Sequence, residues 1–204
     1  MVYLPEPICL YCEKPSEYGK THRYCRTESS IDGYIAVFKY TKELKKVVAS
    51  IKYKLVSDAF TELFSLSKDV LQKDIGFLKT DSDNSDSGSH FFIQPIPLHP
   101  KRQNQRGFNQ SEIIGSFLSS ITGFKKIQAL KRVKETRTQA QLNKTERQIN
   151  AENAFALNNN QNIVRKNTLI IDDVVTTGST VKEAARVLLS GGVAKIWVLS
   201  IAKG

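Results

Sequence analysis

Apolar residues recur along this chain at two spacings, and the switches between them mark out the elements. Tyr34-Ile35-Ala36-Val37-Phe38-Lys39-Tyr40 is rich in β-branched and aromatic residues and predicts a strand. Residues 42–52 then place Leu44, Val47, Val48 and Ile51 at helical spacing, and a second helix is predicted from about Val56 to Leu71, burying Ala59, Phe60, Leu63, Phe64 and Leu66. Phe91-Phe92-Ile93 reads as a short strand that stops at Pro95, Pro97 and Pro100, where ladder donors run out. A helix is predicted over 107–120, with Ile113, Ile114, Phe117 and Leu118 on its apolar side, and a short strand over 127–130. The last forty residues carry the clearest pattern. Thr168-Leu169-Ile170-Ile171 is an apolar run of the kind buried in a parallel sheet. It predicts a strand, then a loop over 172–180, a helix over 181–190 packing Ala184, Ala185, Val187, Leu188 and Leu189 inward, a stop at Gly191-Gly192, and a strand over 194–202. Such a βαβ unit places its first loop at the carboxyl edge of the sheet, where open α/β folds bind ligands.

Two stretches break this texture. Residues 1–30 are short of aliphatics and rich in turn formers, as expected of a small metal-organised ribbon. Residues 79–90 read Lys-Thr-Asp-Ser-Asp-Asn-Ser-Asp-Ser-Gly-Ser-His, which cannot repay the entropy of ordering and predicts a flexible polar loop. Asp81, Asp83 and Ser85 lack the glycine and terminal glutamate that a calcium loop needs. With 204 residues the chain has room for one substantial domain and a small appendage, so the expected organisation is a module over 1–30 and an α/β domain over 31–204. No apolar run approaches the roughly 20 residues of a membrane-spanning helix. The first residues form no secretory signal, so a cytoplasmic location is expected.

Charge narrows the partners without choosing among them. The chain carries a net +10, and residues 99–166 hold thirteen Lys or Arg against four Glu. That surface suits a polyanion, either a phosphorylated small molecule or nucleic acid, although a solvated basic face uses the same residues.

The chemistry concentrates behind the apolar strand. Asp172-Asp173 supplies two carboxylates able to accept hydrogen bonds from ribose hydroxyls or to help hold magnesium. Thr176-Thr177-Gly178-Ser179-Thr180 offers hydroxyls and backbone N–H groups at the start of a helix, a natural seat for a monophosphate. Diol on one side and phosphate on the other is the outline of ribose 5-phosphate. Neither the Walker glycine pattern nor the dinucleotide fingerprint is present. An ordinary helix cap would need only one such residue.

From Leu169 to Thr180 the sequence resembles the phosphoribosyl-diphosphate (PRPP) signature of type I phosphoribosyltransferases. Over nearly its full length the chain resembles the ComF family, a phosphoribosyltransferase-like branch associated with bacterial competence. The resemblance runs through Pro95-Ile96-Pro97-Leu98-His99-Pro100-Lys101-Arg102, Arg106-Gly107-Phe108-Asn109-Gln110, Lys131-Arg132, Thr136, Gln139, Leu142, Arg147, Asn150 and Ala154-Phe155. It implies an open parallel sheet flanked by helices, with Asp172 and Asp173 facing the ribose hydroxyls and Thr176, Thr177, Gly178, Ser179 and Thr180 around the 5-phosphate. It also implies that Leu98, His99, Lys101 and Arg102 take the diphosphate-loop position, and that Arg106, Gly107, Asn109 and Gln110 belong to a mobile flap. Arg102 and Arg106 suit bidentate phosphate contacts, and those same arginines can equally solvate a loop.

All three cysteines lie near the start, as Cys9-x-x-Cys12 and His22-x-x-Cys25. Three thiolates and an imidazole suit a closed tetrahedral zinc site of structural role. ComF-like proteins commonly carry a cysteine-only ribbon here, so His22 is a departure that keeps the ligand count. Tyr3, Tyr11, Tyr18 and Tyr24 interleave with Lys14, Lys20, Arg23 and Arg26, which suits either nucleic-acid stacking or cover for the metal knuckle.

Two functions therefore fit the sequence. The first is a magnesium-dependent phosphoribosyltransferase that releases pyrophosphate from PRPP, its acceptor base left open because no hood follows the last strand. The second is a non-catalytic adaptor of the DNA-uptake machinery that contacts single-stranded DNA or DNA-uptake and helicase proteins.

Overall fold

The computed structural model describes residues 6–46, 68–80, 91–136, 143–158 and 160–204. In chain order they form β1 (Gly33–Lys39), α1 (Lys68–Thr80), β2 (Phe91–Pro95), α2 (Pro100–Arg106), α3 (Gln110–Thr122), β3 (Leu130–Arg132), α4 (Lys144–Ala151), β4 (Phe155–Leu157), β5 (Asn167–Val175), α5 (Ser179–Ser190) and β6 (Lys195–Lys203). Four strands make a parallel sheet in the order β1-β6-β5-β2. β3 and β4 pair antiparallel beside it.

The sheet is buried on both faces, and strand alternation assigns each residue to one of them. Leu169 and Ile171 of β5, with Trp197, Leu199 and Ile201 of β6, pack on one side against Leu71, Ile75 and Leu78 of α1 and Ile114 and Leu118 of α3. Ile170, Ile196 and Val198 pack on the other against Val181, Ala184, Ala185 and Leu188 of α5. That second core also takes in Leu10 from the N-terminal ribbon and Ile31 just after it. Leu169, Ile170 and Ile171 are all fully buried. At roughly 1.5–3 kcal/mol for each large aliphatic side chain, this strand is a principal stabilising element, and a charge there would break it.

The expected parallel sheet with flanking helices is present, as are the strand near residue 34, the edge strand ending at Pro95 and the C-terminal βαβ unit. Several boundaries differ, each for a local reason. The helix predicted over 107–120 begins at Gln110, because Gly107 (φ 74°) caps the end of α2 and Asn109 caps the start of α3 through Ser111 N–H. β5 runs on to Val175, so Asp172 and Asp173 sit within the strand, and only residues 176–178 form the turn before α5 starts at Ser179. α1 extends to Thr80, past the predicted end at Leu71 and into the first two positions of the predicted polar loop. Positions 81–90 of that loop, and most of the helix predicted over 56–71, lie outside the described residues; the helix predicted over 42–52 is helical over 42–46. The strand expected over 127–130 is displaced: Lys126 bridges to Ile93, and regular pairing starts at Leu130.

Candidate functional site

The N-terminal ribbon builds its cluster from two tight turns. Glu13 N–H donates to Cys9 C=O (2.8 Å) and Cys9 N–H to Lys14 C=O (3.0 Å), which closes the first knuckle; Cys25 N–H donates to His22 C=O (2.9 Å) in the second. As a result the ligand atoms of Cys9, Cys12, His22 and Cys25 all lie within 4.8 Å of one another. A tetrahedral zinc with sulfur bonds of about 2.3 Å holds its sulfurs about 3.8 Å apart, so the set needs only slight contraction to close on an ion. Tyr24 stacks on His22 with ring centroids 5.0 Å apart and puts its hydroxyl 3.1 Å from Nδ1. The Cys12 thiol is drawn down to about 6, first by a backbone hydrogen bond from Lys14 and then by His22 and Tyr24. Cys25 is pushed up to about 11 by burial and by the neighbouring sulfurs. One sulfur is thus already a ready anion, whereas three thiolates this close need a cation among them. The donor set fits a structural, zinc-like metal.

At the other end of the chain, Asp172 Oδ1 accepts from Asp173 N–H (2.9 Å) and Asp173 Oδ1 from Val174 N–H (2.8 Å). Asp172 lines a shallow, solvent-open cleft together with Val174 and residues 175–181; Asp173 is not among the lining residues. In the turn, Thr177 and Ser179 pair their hydroxyls at 2.8 Å, and Gly178 adopts φ 76° as the N-cap of α5. The first turn of a helix leaves backbone donors outside its own ladder, and its dipole favours an anion there.

The other predicted residues have varied roles. His99 caps α2 through Lys101 N–H (3.4 Å), and Lys101 pairs with Glu135 at 2.7 Å on the surface. Arg102 donates to Thr136 C=O. Leu98 and Arg106 are half-buried, and Gly107 is exposed. Asn109 is buried and donates to Ile96 C=O (2.9 Å), so it ties α3 to the end of β2. Gln110 is buried as well, with its Nε2 unpartnered.

One residue quoted for the resemblance but not assigned a site role is Arg132. It donates to Thr136 Oγ1 at 2.6 Å, leaves its Nε buried without a hydrogen-bond partner, and lies over the Phe155 ring at 5.3 Å. Burial lowers its pKa to about 10, Arg102 and Arg106 push the same way, and Asp172 opposes them. It therefore stays cationic at neutral pH. Arg102, Arg106, Arg132 and Asp172 thus share one electrostatic neighbourhood. Two further residues, Leu10 and Lys182, contact the turn at Gly178 and Thr177, and Tyr11, one of the ribbon tyrosines, lies against Lys182. No motif signals them, because their placement depends on how the ribbon docks.

The fold and these clusters define a parallel-sheet α/β protein with an N-terminal Cys3His metal-binding cluster. No family model matches the chain. Among known proteins, competence protein F of Haemophilus influenzae is 37% identical over 113 residues, 54% of this chain and 49% of that protein. The DNA utilization protein YhgH of Salmonella typhi is 40% identical over 110 residues, covering 52% and 48%. Competence protein ComFC of Bacillus subtilis is 28% identical over 195 residues, covering 91% and 72%. The chain spans about half the length of the first two relatives. Over about half of its length it is homologous to these competence proteins at moderate identity.

Proposed function

We propose that this protein binds a 5-phosphoribosyl ligand, PRPP with magnesium, at residues 172–180, and that zinc fills its Cys3His cluster. The observation that carries this reading is the shared cleft: the Asp172 carboxylate and the turn from Thr176 to Thr180 line it together. Asp172 accepts from the ribose diol, and the turn's hydroxyls and N–H groups hold the 5-phosphate. Arg132, with Arg102 and Arg106 near it, supplies positive charge for the diphosphate. Magnesium, when bound, neutralises the diphosphate oxygens and eases their departure.

As a transferase, the protein would form a bond between a base nitrogen and the anomeric carbon while the bond to pyrophosphate breaks. The acids would position the sugar, and the arginines would stabilise the leaving group. Incubation with PRPP, magnesium and a panel of bases should release pyrophosphate and form a nucleotide. Binding of PRPP without turnover across the panel would leave a ligand-binding protein and reject the transferase.

A second reading, an adaptor in DNA uptake, draws on the names of the relatives and on the basic stretch 99–166. Lys101, Lys131 and Lys134 of that stretch are exposed. Single-stranded DNA affinity should then fall along a straight log–log line as salt rises. A flat response or no binding would reject direct DNA contact and leave DNA-uptake or helicase proteins as the partners to test.

A further inference from the structure

The two residues between Cys9 and Cys12 need only span a knuckle, and short polar residues would do that. Here they are large, and both are used against the turn before α5. Leu10 is 2% exposed and belongs to the same core cluster as Val175 and Val181. Its Cδ2 and Cγ lie 3.2 and 3.3 Å from the point where a Cβ on Gly178 would stand. The turn backbone therefore rests directly on Leu10, and at φ 76° position 178 favours glycine independently.

Tyr11 acts on the same turn through Lys182. The Lys182 ammonium lies 4.6 Å from the Tyr11 ring centroid, and its Nζ donates to Thr177 C=O at 3.4 Å. Its Cε is 3.3 Å from the same point above Gly178. Tyr11 is itself anchored, since its hydroxyl accepts from Ile31 N–H at 3.0 Å. In a trans peptide the C=O and the following N–H point in opposite directions. Holding the Thr177 carbonyl toward Lys182 thus turns the Gly178 N–H away from it. Neither Leu10, Tyr11 nor Lys182 lines the cleft. Glu13, next to Cys12, adds an ion pair to Lys203 at 3.0 Å, and Gly204 N–H donates to Val175 C=O at 2.9 Å just before the turn.

We propose that Leu10 and Tyr11 are positioning residues for the 176–180 turn, so that the metal cluster sets the turn's competence to hold an anion. This rests on the phosphate reading of the turn for its ligand, and on contacts alone for its mechanics. Metal ligation by Cys9 and Cys12 fixes the knuckle, the knuckle fixes Leu10 and the Tyr11 ring, and these fix the peptide between Thr177 and Gly178.

The test uses the full chain with metal bound, comparing wild type, Tyr11→Phe, Tyr11→Leu and Leu10→Ala. Three quantities are measured: metal content, amide hydrogen exchange over 176–180, and calorimetric affinity for ribose 5-phosphate. Tyr11→Phe keeps the ring under Lys182 but loses its anchor to Ile31 N–H, so it should keep its metal and change exchange and affinity clearly less than Tyr11→Leu. Tyr11→Leu should keep its metal, yet exchange at least about tenfold faster in the turn and bind ribose 5-phosphate at least about tenfold more weakly, a difference near 1.4 kcal/mol. Leu10→Ala should do the same, and wild type stripped of its metal by a chelator should show the same faster exchange and weaker binding. Unchanged exchange and affinity in Tyr11→Leu would overturn the proposal, as would an equal loss in Tyr11→Phe. If wild type fails to bind ribose 5-phosphate, the phosphate reading falls, and the exchange rates alone decide whether the knuckle braces the turn.

Discussion

Replacing Asp172 and Asp173 together by asparagine should weaken binding of PRPP with magnesium about 100-fold or more while leaving the melting temperature within a few degrees. The carboxylates stand near the carboxyl end of β5, half-buried, where the strand leaves the core. Each makes a short local bond through one oxygen, Asp172 to Asp173 N–H and Asp173 to Val174 N–H. Asparagine keeps an acceptor oxygen in that place, so the strand end retains its geometry. What would be lost is negative charge toward the ribose diol of the proposed ligand, and charge-assisted hydrogen bonds contribute roughly 1.5–3 kcal/mol each. The loss should fall mainly on Asp172, which lines the cleft, with Asp173→Asn the milder single change. Equal affinity in two equally folded proteins would reject the site. A large drop in melting temperature with unchanged affinity would make the acids structural.

Replacing Cys12 by alanine should remove the metal and destabilise far more than the ribbon itself. Structural zinc contributes about 10–16 kcal/mol of apparent binding free energy in isolated finger peptides, comparable to the 5–15 kcal/mol that holds a whole domain folded. In this protein the ribbon is not a separate appendage in its packing. Leu10 and Ile31 lie in the core beneath α5, and Thr21, also buried, donates to Ile31 C=O at 2.7 Å. Loss of the knuckle should therefore loosen the sheet face that carries the 176–180 turn. Elemental analysis should find one zinc per wild-type chain and none in Cys12→Ala, with a clearly lower melting temperature. Full metal content and an unchanged melt would reject the cluster. Acid should act in the same direction: the metal-free Cys12 sulfur is a thiolate above about pH 6, and as pH falls through that value a proton competes with the ion.

The sequence made the central βαβ unit legible because its two signals agree: a continuous apolar strand and an inward-facing helix closed by Gly191-Gly192. The Cys3His set was equally plain, since four ligands at knuckle spacing need no tertiary information. α4 could have been found from Asn143 and Glu146, which form a reciprocal capping box, but no apolar stripe follows to draw attention to it. α1 hid its period, Leu71, Ile75 and Leu78, beside a polar tract. Asp172 and Asp173 read as loop because acids are poor strand formers, yet pairing with β6 at Asp172 and Ser200 keeps them in the ladder. The bracing of the turn by Leu10, Tyr11 and Lys182 had no signature at all. It joins residues about 170 positions apart, and only the docking of the ribbon brings them together.

The most direct measurement is a calorimetric titration of the zinc-loaded full chain with PRPP and magnesium. Saturable binding at one ligand per chain is expected, weakened by inorganic phosphate or ribose 5-phosphate as competitors and weakened about 100-fold or more in the Asp172→Asn/Asp173→Asn protein. A folded, zinc-loaded chain that takes up no PRPP would contradict the phosphoribosyl site.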